Sequence, residues 1–144
     1  MVSDWSSDVC SSDLGGDDSS DGGDSIYGGS GNDLIFGNGG NDVLDVSPPI
    51  AGLGDSNTVV GGFGDDFIFR NNNSNPVNND LALGNQGNDT IFLSGGSDTD
   101  VGGQGNDSIH YATGSGNPML FGNEGSDTVV ATSATNSKIG RAHV

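Results

Sequence analysis

The chain has 144 residues, of which 20 are acidic, 3 basic and 27 glycine, and its formal net charge is -17. The length suggests one domain; no run of 18 apolar residues offers a transmembrane helix, and three bases cannot build a phosphate-binding surface for nucleic acid. Leu, Ile, Val and Phe make up about 22% of the chain, just above the roughly 20% below which a highly charged chain stays disordered, so two possibilities remain: a disordered acidic tail, or a fold that uses cations in place of a large core.

In chain order, the first segment to set aside is Asp4–Leu14, which resembles a translated sequencing adapter. The reverse complement of the same DNA encodes Lys-Ile-Gly-Arg-Ala-His-Val, the residues at 138–144, followed by a stop. Residues 1–14 and 138–144 are therefore read as adapter-derived and residues 15–137 as one native fragment, in which neither a signal peptide nor a C-terminal secretion signal is expected. Trp5, Cys10, Arg141 and His143 drop out of the inventory, so the cysteine says nothing about redox compartment. Counting Lys138, 17 acids then face two bases, a net charge of -15.

A nine-residue period follows. Gly28-Gly-Ser-Gly-Asn-Asp33-Leu-Ile-Phe36 runs directly into Gly37-Asn-Gly-Gly-Asn-Asp42-Val-Leu-Asp45. Further copies are Gly61-Gly-Phe-Gly-Asp-Asp66-Phe-Ile-Phe69, Gly84-Asn-Gln-Gly-Asn-Asp89-Thr-Ile-Phe92, Gly102-Gly-Gln-Gly-Asn-Asp107-Ser-Ile-His110 and Gly122-Asn-Glu-Gly-Ser-Asp127-Thr-Val-Val130. Weaker copies place Asp24, Asn57, Asp80, Asp98 and Pro118 at the sixth position, giving eleven units over residues 19–130. Glycines at the first and fourth positions permit the positive φ of a tight turn. The last three residues predict a very short strand whose eighth position points inward. That column reads Ile26, Ile35, Leu44, Val59, Ile68, Ala82, Ile91, Asp100, Ile109, Leu120, Val129. Asp100 breaks it, and a local slip that turns Val101 inward is the expected repair.

These residues resemble the hemolysin-type calcium-binding nonapeptides of the RTX (repeats-in-toxin) family, over roughly 110 residues. The resemblance implies an all-β fold, a right-handed parallel β-roll (a β-solenoid) with two nonapeptide units per coil, roughly five coils here, and calcium between like turns of successive coils. Units of one parity then share an edge. Odd units carry Asp24, Asp42, Asp66, Asp89, Asp107 and Asp127; even units carry Asp33, Asn57, Asp80, Asp98 and Pro118, in turns that mostly lack the glycines. Insertions at 46–51, 70–74 and around 111–114 all precede even units, as expected if that edge is free to absorb them.

Calcium is therefore expected mainly along the odd edge, with up to about five ions between Asp24 and Asp42, Asp42 and Asp66, Asp66 and Asp89, Asp89 and Asp107, and Asp107 and Asp127. The turn glycines Gly37, Gly40, Gly61, Gly64, Gly84, Gly87, Gly102, Gly105, Gly122 and Gly125 are expected to supply carbonyl oxygen, and Asp33 with Asn57 forms a weaker site on the other edge. Hard oxygen donors suit calcium; zinc or copper calls for His or Cys, and the native segment holds only His110. One column of apolar side chains stabilises far less than the ordering of so long a backbone costs, and stacked carboxylates repel one another. Metal binding is thus expected to supply folding free energy.

Phe36, Val60, Leu83, Val101 and Phe121 at the ninth position, joined by Leu34, Leu81 and Met119 at the seventh, predict an outward apolar stripe on the even strands, a surface for a missing domain of the parent or a partner. His110 stands alone, with no nucleophile or acid in triad order, and is expected to stack or lie at the surface; no active site is expected in the fragment itself, and an enzyme is among the parents the reading leaves open. The family resemblance implies a secreted bacterial protein, exported by type I secretion and folding in extracellular calcium. A polysaccharide-binding roll attached to a secreted enzyme is the alternative. An ice-binding or adhesin roll is a further alternative, and the ice-binding reading ranks last because the third turn position reads Gly39, Phe63, Gln86, Gln104 and Glu124 rather than a Thr array.

Overall fold

In the computed structural model, the residues described are 9–11, 22–47, 55–70, 78–112, 116–132 and 138–140. Among them every regular element is a strand: β1 (Val9–Ser11), β2 (Ser25–Tyr27), β3 (Leu34–Gly39), β4 (Val43–Asp45), β5 (Thr58–Phe63), β6 (Phe67–Phe69), β7 (Leu81–Gln86), β8 (Thr90–Ser94), β9 (Thr99–Gln104), β10 (Ser108–Ala112), β11 (Met119–Glu124), β12 (Thr128–Ala131) and β13 (Lys138–Gly140). Odd- and even-numbered strands separate into two parallel sheets, ordered β1-β3-β5-β7-β9-β11-β13 and β12-β10-β8-β6-β4-β2. Each coil contributes one strand to each sheet, so the chain is a β-solenoid of about five coils, two nonapeptides per coil. β1 and β13, which lie within the segments read as adapter-derived, pair with β3 and β11 at the two ends of the seven-stranded sheet.

The register is set by the repeat. Ile35, Val59, Ala82, Asp100 and Leu120 stand opposite one another across β3, β5, β7, β9 and β11. Ile26, Leu44, Ile68, Ile91, Ile109 and Val129 do the same in the other sheet. A parallel ladder aligns equivalent positions, so one apolar residue per nine becomes a continuous buried column. A second inward column, two residues further on, holds Val46, Arg70, Leu93 and Tyr111, all buried. The nonapeptide pattern does not contain it, because it exists only where the strands of the six-stranded sheet extend toward the even turns.

One expectation fails. Asp100 does not slip: it sits in register between Ala82 and Leu120 and is 0% exposed, while Val101 is only half-buried on the outer face. Coil-to-coil pairing continues on both sides of β9, and a one-residue slip would reverse every side chain of that strand. The interior of the even edge carries a buried polar cluster, and most of the insertions at 46–51, 70–74 and 111–114 lie outside the described residues.

Candidate metal centre

The odd turns place their aspartates in an unbroken ladder. The Asp24 amide donates to Asp42 Oδ1 at 2.7 Å, Asp42 to Asp66 Oδ1 at 3.0 Å, and Asp66 to Asp89 Oδ1 at 2.9 Å. Asp89 donates to Asp107 Oδ1 at 2.9 Å, and Asp107 to Asp127 Oδ1 at 3.1 Å. These are the five pairs expected from parity. Asp42, Asp66, Asp89 and Asp107 are buried; Asp24 and Asp127, at the ends, are half-buried.

Each ladder bond uses one carboxylate oxygen. The other points at the first glycine of its own turn: an ideal Cβ on Gly37, Gly61, Gly84, Gly102 or Gly122 would overlap Oδ2 of Asp42, Asp66, Asp89, Asp107 or Asp127. At three of these points the glycine carbonyl of the next coil arrives too, Gly61 O 2.6 Å from the Gly37 point, Gly84 O 2.9 Å from the Gly61 point and Gly102 O 2.5 Å from the Gly84 point. Carboxylate and carbonyl oxygen thus converge where a side chain is excluded. The buried Oδ2 atoms of Asp66, Asp89 and Asp107 have no hydrogen-bond partner. That combination fits a hard cation and no protein donor. Among the described residues no three His, Cys, Asp or Glu side chains gather at one point, so backbone oxygen must complete any such site.

The fourth-position glycines serve a different purpose. Gly64, Gly87, Gly105 and Gly125 have φ from +119° to +133° or, for Gly87, +137°, and a Cβ on any of them would strike the carbonyl of the equivalent glycine one coil earlier (Gly40, Gly64, Gly87 and Gly105). They allow the coils to stack at strand spacing. The fifth position, Asn, Asp or Ser, forms an outer ladder that the repeat displayed without its reason being evident: Asn41 Oδ1 accepts from Asp65 N–H, Asp65 Oδ1 from Asn88, Asn88 Oδ1 from Asn106, and Asn106 Oδ1 from Ser126.

Burial drives the charged ladder's electrostatics. Desolvation, opposed by a ladder hydrogen bond and reinforced by neighbouring carboxylates, pushes Asp66 and Asp89 up to about 7 from 3.8. Asp107 is raised for the same reasons. Burial therefore works against the ionised form of Asp66, Asp89 and Asp107.

On the even edge Asp33 N–H donates to Asn57 Oδ1 at 2.9 Å, Asn57 N–H to Asp80 Oδ1 at 2.8 Å, and Asp80 N–H to Asp98 Oδ1 at 2.9 Å. Here a guanidinium enters. Arg70, 1% exposed, donates from Nη1 to Asp80 Oδ2 and from Nη2 to Asp55 Oδ1. Arg70 stands in the inward column of Val46, Leu93 and Tyr111, facing the even-turn aspartates. Sequence reasoning placed it at the start of an insertion; the signal available was that it is the sole Arg between the two segments set aside. Tyr111 OH donates to Gly96 O at 2.7 Å. Asp98 is pushed up to about 7, chiefly by burial, and Asp100 well above the usual carboxylate range by burial and by Asp98 and Asp80.

The remaining surface is simpler. His110 stacks on Phe92 with ring centroids 6.2 Å apart. Phe36, Val60, Leu83, Val101 and Phe121 are half-buried on the outer face, where Phe36, Val60 and Val101 join Phe63, Asn38 and Gln104 in lining a groove of about 470 Å³. Among the described residues no helix is long and apolar enough to cross a membrane.

Compared with known families, the chain matches the model of the RTX calcium-binding nonapeptide repeat in four copies, over residues 18–47, 50–73 and 78–109. No curated protein and no solved structure matches the chain.

Proposed function

Because the chain belongs to the RTX calcium-binding nonapeptide repeat family and is thereby a calcium-binding repeat module, we propose that it is the part of a secreted bacterial protein that folds when it meets extracellular calcium. The observation that carries this reading is the row of buried Oδ2 atoms of Asp66, Asp89 and Asp107, aimed into the turn with no protein donor. Bound there, calcium supplies the positive charge that the stacked carboxylates lack. Asp42, Asp66, Asp89 and Asp107 each serve two neighbouring positions along the odd edge, which gives up to five ions, with Asp24 and Asp127 closing the ends. Oδ1 of each carboxylate holds the preceding coil through its amide while Oδ2 and the first-position glycine carbonyls are left for the cation. Coil stacking and ion binding therefore use the same side chains, which couples one to the other.

In this reading the chain stays unfolded at cytosolic calcium, passes a secretion channel in that state, and folds outside at the roughly 0.1–1 mM affinity of extracellular modules. The roll is a structural module without catalysis of its own; any enzymatic activity resides elsewhere in the parent. Far-ultraviolet circular dichroism during a calcium titration from EGTA tests the reading. A cooperative gain of β signal is expected, and an unchanged spectrum up to about 10 mM calcium, well above that affinity range, would sink it. Polysaccharide binding has one observation in its favour, the outward groove between Phe36, Phe63 and Gln104; retention of the calcium-loaded chain on an immobilised acidic polysaccharide, lost on Phe63→Ser, would support that second reading.

A further inference from the structure

The nonapeptide pattern accounts for the odd edge but leaves Asp100 unexplained. Asp100 occupies a column otherwise filled by Ile35, Val59, Ala82 and Leu120, is 0% exposed, and neither of its oxygens has a hydrogen-bond partner. Asp98, the buried sixth-position residue of the turn that leads into β9, is close enough to act on the Asp100 carboxyl. Its Oδ1 accepts the Asp80 amide, whereas its buried Oδ2 has no partner. The one buried guanidinium among the described residues is already committed, since Arg70 bridges Asp55 and Asp80. Two adjoining carboxylates thus present three partnerless oxygens to the interior, beside Ala82, the smallest residue of its column. Buried carboxylates in that condition demand neutralisation. Oxygen-only donors on a strand interior match a hard divalent cation.

We infer that the interior of the even edge holds a second kind of cation site, built on Asp98 and Asp100 and taking a calcium-class divalent ion inside the roll. It differs from the odd-edge sites in adding to a sixth-position aspartate, Asp98, the strand residue Asp100 at the inward eighth position. The two edges then solve the same charge problem in different ways: Arg70 neutralises Asp80 and Asp55, and an internal ion neutralises Asp98 and Asp100. The site does not depend on the odd-edge ladder.

The test counts calcium ions per folded chain by native mass spectrometry and follows terbium luminescence sensitised by Tyr111, whose hydroxyl donates to the Gly96 carbonyl, two residues before Asp98 in sequence. Asp100→Leu, which restores the column's usual residue type, is expected to bind one ion fewer and to lose the Tyr111-dependent terbium emission. Asp100→Asn keeps the shape and is expected to lose the same ion; Tyr111→Phe keeps the ion and loses the emission. An unchanged ion count in both Asp100 variants, together with greater stability at equal calcium, would overturn the proposal and identify Asp100 as a buried protonated acid. A wild-type chain that binds no calcium overturns this site and the odd-edge reading together, whereas Asp89→Asn lowering the count with the Tyr111-dependent emission intact supports a separate site.

Discussion

Asp89→Asn separates the two jobs of the odd-edge aspartates. Asp89 Oδ1 accepts the Asp66 amide at 2.9 Å, and Asp89 Oδ2 lies beside the Gly102 carbonyl. An asparagine can keep the first contact, as Asn57 shows on the other edge by accepting the Asp33 amide at 2.9 Å. Its amide nitrogen can donate to the Gly102 carbonyl, which a carboxylate cannot. What disappears is the charge. A carboxyl whose pKa stands at about 7 in the fold and 3.8 when unfolded costs the metal-free fold about 4 kcal/mol at pH 8, and water at the edge of the roll lowers that toward about 2 kcal/mol. The metal-free variant is therefore expected to be more stable than the wild type by about 2–4 kcal/mol at pH 8. In exchange it loses a ligand shared by two neighbouring calcium positions. In circular dichroism at pH 8 in EGTA, the variant should hold more β signal than the wild type, and calcium should then add less. A variant with less β signal than the wild type in EGTA, or with an undiminished response to calcium, would refute this division of labour.

The same pKa values give a pH dependence. Asp66, Asp89 and Asp98 bind protons more tightly folded than unfolded, so the metal-free roll is least unstable below about pH 4 and loses stability as the pH rises to about 7, where the loss levels off; circular dichroism in EGTA should show more β signal at pH 5 than at pH 8, with the difference reduced in calcium. Arg70→Met strands Asp55 and Asp80 in the interior and should cost about 3–5 kcal/mol, read as a lower urea midpoint in saturating calcium. Gly87→Ala places a Cβ against the Gly64 carbonyl at a φ of +137° and should destabilise by at least about 1–3 kcal/mol, whereas Gln86→Ala, exposed one residue earlier, should change the calcium-loaded stability by less than about 0.5 kcal/mol. Tyr111→Phe leaves the Gly96 carbonyl without its donor and should cost about 1–3 kcal/mol, read as a lower urea midpoint in calcium.

The repeat carried much of this structure in legible form. Glycine at the first and fourth positions, Asp at the sixth and an apolar residue at the eighth each recur because each meets its own copy one coil away. Gly64 against Gly40, Asp66 against Asp42 and Ile68 against Leu44 are one contact type repeated. Given the two units per coil that the RTX resemblance implied, parity followed from the same rule, and so did the five aspartate pairs. The second inward column did not follow, because Val46, Arg70, Leu93 and Tyr111 lie beyond the ninth position and share no residue type.

The nonapeptide period, with the family resemblance it carries, was enough for the coil, the two sheets and the edge on which aspartates stack, because in a parallel solenoid a period along the chain becomes a contact between neighbours in space. The interior of the even edge came from packing alone. Arg70 reaches Asp55 and Asp80 across different coils, and Asp100 stays buried because β7 and β11 hold β9 in register on both sides. Neither contact repeats, so no period announces it; each is fixed by which non-repeating side chain closes on which carboxylate once the coils have stacked.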